Sequence, residues 1–523
     1  MKGKNLTIKH LWGGVALAAV VLTVSCADGF ESDEKFVSDV TNTTLVSPDA
    51  ASFTFSTYLD AAGQSMMRVN WPLVKGAGGY LCHVDNVNDP ENPVEIVADT
   101  IIDGLSVDFP TAEITSYKVS VRTMGNAELN NKDAAEASLW SFVPSGIAVP
   151  VPANEGLGQF IANYLAENAA EIAEKRQNDD FAIAFDLKAG QSYTIDETLD
   201  FGLNPVLLRS VESNAAVGRS GETEERATFI VKAPIVTQSG LRLQNLNLDC
   251  TEKSDLRTLI GLSNTPDESV SNTALGFKHD GEGSASNDCN IIMKSIIIEN
   301  CWIKNLPKSL IYTQGTPWAV NDFRIINSII QLKNNNSGNF IDFQDGVSTI
   351  RQMTISNSTI YNTEENSSNY FIKYNSASNS QLTRSFGSGS GYNSALHTLA
   401  NNTFVRTFTA KDFGNGILNN KDVFTLYITN NNFYDVFRLY QYIGTQNVKY
   451  CTNNTIWYEI TSESSQDTGG NKDTAGNPFT TKEDPGFVGS EAVKELDFDK
   501  PNGGVNFHAT GAISAYSGDP RWR

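Results

Sequence analysis

The chain has 523 residues, enough to bury a large core without disulfide staples. It carries 39 Lys+Arg against 60 Asp+Glu, a formal net charge of −21. That balance, with no basic block, argues against a nucleic-acid partner, which needs clustered cations for its phosphates. It also disfavours a polyanionic ligand unless a cation or a local Lys/Arg patch bridges it.

The chain opens with basic "MKGKNLTIKH", then apolar "LWGGVALAAVVLTV", then "SCA". Residues 1–25 read as a secretory signal, too short and wrongly flanked to be a structural membrane span. Leu22-Thr23-Val24-Ser25-Cys26 resembles a bacterial lipoprotein box. The resemblance implies cleavage before Cys26, lipidation of its thiol and attachment to the outer membrane. The acidic run "ADGFESDEK" that follows resembles the export tethers that place Bacteroidetes lipoproteins on the outer face of that membrane. Residues 26–44 are therefore expected to be a tether on a protein facing the cell exterior. The other cysteines, Cys82, Cys250, Cys289, Cys301 and Cys451, show no metal-ligand spacing. They read as buried small apolar side chains, with one local disulfide left open.

Residues 45–145 hold short apolar-alternating runs such as "MMRVNWPL", "GGYLCHVD" and "TSYKVSVRTM", separated by Gly, Pro, Asn and Asp. About seven such runs predict a β-sandwich. Trp71, Tyr80 and Tyr117 fall where a fibronectin type III domain keeps its core aromatics, and the segment resembles that family. Residues 146–180 read as a linker and a capping helix. Asn154 is the candidate N-cap, and Leu157, Phe160, Ile161, Tyr164, Leu165 and Ile172 form one apolar face over about 155–175. Such a helix would cover the open end of a β structure.

From 181 to 523 the pattern is strand-like throughout. Words such as "NSTI" and "NNTF" recur, beginning at Asn300, Asn327, Asn357, Asn401, Asn430 and Asn453, with Asn245 as an earlier member. Asparagine is a poor strand residue. Its return at coil-like intervals predicts a solenoid in which each coil adds one strand to each sheet and asparagine marks one corner. There the amide is expected to turn inward and bond the backbone and its neighbours in a structural ladder. The alternative is that these words are surface turns. The segment resembles the right-handed parallel β-helix of the pectin-lyase-like superfamily. With its closing Tyr516, Gly518, Asp519, Pro520, Arg521 and Trp522, it also resembles paired domains of unknown function from lipoproteins of gut Bacteroidetes. The expected fold is therefore all-β: a fibronectin type III-like sandwich, a capping helix and a single-stranded right-handed parallel β-helix with a C-terminal closing segment.

No zinc-protease helix, phosphate loop or nucleophile elbow is present. The resemblance implies one chemistry: calcium held by acids neutralises a uronate while Arg or Lys abstracts the adjacent proton. On that reading the catalytic candidates are Lys278, Asp280, Asp342, Asp345 and Arg351, with Lys373 and Arg384 as further bases. Calcium is the candidate cofactor, but no spacing identifies its ligands. The candidate ligand-stacking aromatics are Tyr370, Tyr374, Trp457 and Tyr458, because sugar C–H faces pack on rings. Three functions stand open. The first is a monomeric surface lipoprotein that binds extended polysaccharide or oligosaccharide and works with glycan-uptake machinery. The second is a polysaccharide lyase or glycoside hydrolase, and the third a structural or adhesive surface protein.

Overall fold

The computed structural model describes residues 39–523 except 61–64, 113, 145, 154–155, 179, 212–224, 266–289, 335–337, 345–347, 366–368, 375–385, 387–393, 416–423, 445–447, 464–470 and 490–494. Cys26, Lys278, Asp280, Asp345, Arg384, Cys289 and the expected cap Asn154 thus lie outside the described residues. The rest form two compact units, one up to Val143 and one from Pro144 onward.

The first unit is a pair of antiparallel sheets. Thr54–Leu59, Ser65–Asn70 and Ser106–Pro110 make a three-stranded sheet. Val94–Ile102, Gly79–Asn86, Tyr117–Met124 and Ser138–Phe142 make a four-stranded one, in that spatial order. Alternate residues face inward, as in Tyr117, Val119 and Val121, all fully buried. Trp71 meets Tyr80 edge-on with ring centroids 5.6 Å apart. The phenol oxygens of Tyr80 and Tyr117 accept the backbone N–H groups of Val74 and Ala112 at 2.8 and 3.0 Å. Both rings can therefore be buried without leaving a hydroxyl unpaired.

The stretch after Val143 is more than a linker. Ile147–Pro150 pairs in parallel with Ile183–Lys188 and so begins the largest sheet of the second unit. The helical pattern that follows is two helices, Leu157–Glu167 and Ala169–Lys175, broken at Asn168, with Gly156 at the first N-cap. Leu157, Ile161 and Ile172 are buried in the core of this unit, and Tyr164 meets Phe185 edge-on at 5.8 Å. The helices therefore close the apolar end of the stack.

Every strand from Ile183–Lys188 to Tyr374 pairs in parallel with the strand three elements later, so the chain coils through three sheets. The first sheet has ten strands, from Ile147–Pro150 to Val448–Thr452. The second has nine, from Ser192–Ile195 to Thr455–Trp457. The third has seven, from Leu199–Asp200 to Gly414–Asn415. The result is an all-β chain, an antiparallel sandwich followed by a parallel β-helix-like stack. Like residues fall in register inside it. Ile303, Ile330, Ile360, Phe404, Phe433 and Ile456 form one inward file of the second sheet, all fully buried. Burial of each such side chain stabilises by about 1.5–3 kcal/mol.

The asparagine corners join the first sheet to the second in one or two residues. Asn245, Asn300, Asn327, Asn357, Asn401, Asn430 and Asn453 all have φ between +49° and +58°. This is the left-handed region, which asparagine tolerates better than other side-chain-bearing residues. Each backbone N–H from Asn245 to Asn430 donates to the next coil, as Asn357 does to the Ala400 carbonyl at 3.0 Å. Side-chain amides also link coils, Asn300 to Asn245 at 2.8 Å and Asn453 to Asn430 at 3.1 Å. The expectation that these amides turn inward is corrected. None of the seven is buried, and Asn327 and Asn453 are exposed. A left-handed residue reverses the chain direction, so the residue after it points into the stack. Ser328, Ser358, Asn402, Asn431 and Asn454 occupy that inner position and are buried. Each accepts the backbone N–H of its counterpart one coil earlier, from Cys301 N–H to Ser328 Oγ (3.1 Å) through to Asn431 N–H to Asn454 Oδ1 (3.1 Å). Two ladders therefore run along one corner, an outer one of asparagine and an inner one of serine and asparagine.

Cys82, Cys250, Cys301 and Cys451 are buried and unbonded to one another.

Candidate functional site

The stack has three outer faces, and the C-terminal segment covers one. On the second sheet Tyr361, Val405 and Tyr434 point outward in register. Phe487, Phe507 and Trp522 pack over them, with Tyr361–Phe507 centroids 5.1 Å apart and Tyr434–Phe487 5.0 Å apart. The closing residues then bond the corners. Gly518 N–H donates to the Asn430 carbonyl (2.8 Å), and Arg523 Nη2 to Asn401 Oδ1 (2.9 Å). Arg521 reaches the carbonyls of Asn327, Ser328 and Asn357 at 2.9–3.1 Å. Asp519 accepts from Thr359 Oγ1 at 2.7 Å and from Arg521. Burial nevertheless holds the Asp519 carboxyl above the usual range, partly opposed by Arg521. Trp457 belongs to this covered cluster, so the structure does not place it on an open ligand face.

The third sheet's outer face lies between both sets of variable connections. Those arriving span 250–257, 307–308, 333–340, 363–371 and 406–413, and those leaving span 263–289, 314–317, 344–348, 375–394 and 416–423. Outward along this face, one residue per coil in register, run Gly261, Tyr312, Asp342, Lys373 and Asn415. Their neighbours Ile311, Ile341, Phe343, Ile372 and Tyr374 fill the core. Alternation thus makes one side of the same strands apolar and the other polar. Adjacent members of the file are one inter-strand spacing apart, about 4.8 Å.

Asp342 is 1% exposed, and Arg257 organises its surroundings. The Arg257 guanidinium donates to Asp342 Oδ2 at 2.6 Å and to Ser309 Oγ at 2.7 Å. It also sits 3.6 Å from the Tyr312 ring centroid, a cation–π contact. Oδ1 of Asp342 accepts from Asn339 Nδ2 at 2.9 Å and from Gln344. Both carboxylate oxygens are thus engaged, which suits a fixed structural anion better than a base or an open calcium ligand. Lys373, one coil on, is half-buried and has no ion-pair partner among the described residues. Among the described residues it is the one cation of that file.

The other candidates are dispersed. Arg351 donates to Asn321 Oδ1 at 2.7 Å and to the Ser394 carbonyl at 3.3 Å, within the first sheet and away from the Asp342 cluster. Tyr374 is 1% exposed and stacks on Phe343, so it has no surface to offer a sugar. Tyr458 is partly buried against the core. Tyr370 is half-buried beside the third sheet, and its N–H donates to Asn339 Oδ1 at 3.0 Å. His397 lies wholly inside the stack, with Nδ1 3.1 Å from Tyr442 Oη and Nε2 3.2 Å from the Ile350 carbonyl. Burial pulls its pKa down to about 4. Among the described residues, no three His, Cys, Asp or Glu side chains converge as a metal site. Sequence reading missed Arg257 and Tyr312. Neither sits in a motif, and only the coil register brings them together.

Residues 1–190 match the model of a domain of unknown function (DUF4992), and residues 192–363 match that of a second domain of unknown function (DUF4957). No curated protein matches the chain. The two matches meet inside the first coil, between strands Ile183–Lys188 and Ser192–Ile195, not at the Val143/Pro144 boundary of the compact units. The first match therefore includes the sandwich, the capping helices and the strand on which the stack is built.

Proposed function

We propose that this protein is a lipid-anchored, exterior-facing outer-membrane protein that binds extended polysaccharide along the third sheet. Its fold would join a fibronectin type III-like sandwich to a right-handed parallel β-helix of the pectin-lyase-like kind. One observation carries the reading: the file Tyr312, Asp342, Lys373, Asn415 sets one polar group per coil on a face flanked by the connections that enter and leave the third sheet. A polymer lying along the axis meets equivalent positions at a regular step. Lys373 supplies a cation for an acidic or hydroxyl-bearing sugar, Asn415 an amide and Tyr312 a ring edge. Arg257 and Asp342 hold Tyr312 in place. The secretion signal, Cys26 and the acidic tether support the location, in reach of glycan-uptake machinery.

Affinity electrophoresis of the full chain through gels of pectic, sulfated and neutral polysaccharides tests the reading. Retardation by at least one, weakened about tenfold by Lys373→Ala and by Tyr312→Ala, is expected. No retardation in any gel, or retardation untouched by both substitutions, would overturn it. Ultraviolet detection of an unsaturated uronide in the same incubations reports lyase activity directly.

A further inference from the structure

The first sheet has a second face of different chemistry at its C-terminal end. Its last three strands are Ala395–Ala400, Phe424–Thr429 and Val448–Thr452. Leu399, Ile428 and Cys451 point inward and are fully buried, so the alternate residues face out. One outward file reads Thr354, Thr398, Tyr427, Tyr450 and its neighbour reads Leu396, Thr425, Val448. On these three strands no outward residue is charged, in a chain of net charge −21. Their single charged residue, Lys449, alternates to the other side and lies 5.4 Å from the Phe479 ring centroid.

The Tyr427 and Tyr450 rings stack, with centroids 4.8 Å apart and planes 20° from parallel. Tyr427 is 41% exposed, Leu396 40% and Val448 38%. Short Thr398 and Thr354 precede Tyr427 in its file, so the ring pair stands as a step above a hydroxyl-lined floor. One coil beyond Thr354 the floor ends at Arg324, which is paired with Asp322 at 2.8 Å. An apolar ring pair, neighbouring aliphatic groups and threonine hydroxyls match the two surfaces of a sugar: C–H groups against rings, hydroxyls against hydroxyls. The absence of charge fits an uncharged polymer and offers nothing to a uronate or a sulfate.

We propose that this face is a second carbohydrate site, which takes an uncharged polysaccharide across the last coils of the first sheet. It is separate from the third-sheet site, whose file contains Asp342 and Lys373. The test uses the full chain in affinity electrophoresis through xylan, galactan, mannan and β-glucan gels. At least one gel should retard it, and the double substitution Tyr427→Ala with Tyr450→Ala should weaken that retardation at least tenfold. Thr398→Arg, which fills the floor without removing a ring, should do the same. Retardation by pectic or sulfated gels, expected of the third-sheet site, should survive the double substitution, and circular dichroism should show all variants folded. No retardation by any neutral glycan, or retardation indifferent to both kinds of substitution, would overturn the proposal. So would a concentration-dependent dimer in sedimentation that the double substitution abolishes, since the face would then belong to a second copy of the chain.

Discussion

Nη2 of Arg521 lies 2.9 Å from the carbonyl oxygen of Asn357, 164 residues earlier in the chain. The same guanidinium bonds the carbonyls of Asn327 and Ser328, while Asp519 fixes its other edge. A left-handed corner leaves its carbonyl outside the ladder of its own coil, and a planar donor fork satisfies several at once. The closing residues therefore act as a clasp read by the corners.

Arg521→Ala should destabilise the chain by about 1–3 kcal/mol, the cost of leaving such carbonyls without donors. Arg521→Lys should recover little of it, because an ammonium cannot span the same acceptors. Chemical denaturation of the three proteins checks both statements. Equal stability of Arg521→Ala and the parent would refute the clasp.

The two corner ladders should respond differently. Asn402→Ala leaves the Ser358 N–H without its acceptor in a buried position and should cost about 1–3 kcal/mol. Asn357→Ala should cost about 1–2 kcal/mol, chiefly for holding alanine at φ +50°. Asn357→Gly avoids that strain and should lie closer to the parent. A reversed order, with Asn357→Gly the most damaging of the three, would mean that the outer amide carries more than the backbone geometry. Thermal melts of the three variants rank them.

His397 makes a pH prediction. Its folded pKa is depressed to about 4 from 6.5, so the folded state keeps the ring neutral. The associated stability is fully present above the unfolded value and is lost as pH falls from about 6.5 towards about 4. The loss across that window should be about 3 kcal/mol. His397→Gln removes the titration and should flatten the stability profile between those limits. An equally steep profile in the variant would show that other groups govern acid unfolding.

Much of the architecture was legible in the sequence. Period-2 alternation around Trp71, Tyr80 and Tyr117 gave the sandwich strands, and the spaced asparagines gave the coil corners. What spacing does not contain is which of two adjacent polar residues points inward. That depends on the sign of φ at the first, so spacing points to the outer Asn357 and Asn401 and hides the inner Ser358 and Asn402. The strand at Ile147–Pro150 is not legible as one, because four residues that end on a proline carry little periodic signal. The ligand faces were the least legible. Tyr374 and Trp457 look alike as aromatics in strand text, yet one fills the core and the other lies under the clasp. Tyr427 and Tyr450 become a pair only when parallel register stacks residues from successive coils.

The one- or two-residue corner has an evolutionary consequence. From Asn245 to Asn453 it keeps to one or two residues, so it acts as a fixed spine along which those coils are bound, and their long connections fall at the other edges. Connections such as 263–289 and 375–394 can be exchanged or lengthened there without shifting the register of any strand. Ligand preference and scaffold stability can therefore diverge as separate traits, and grafting connections between related chains becomes a practical route to altered specificity.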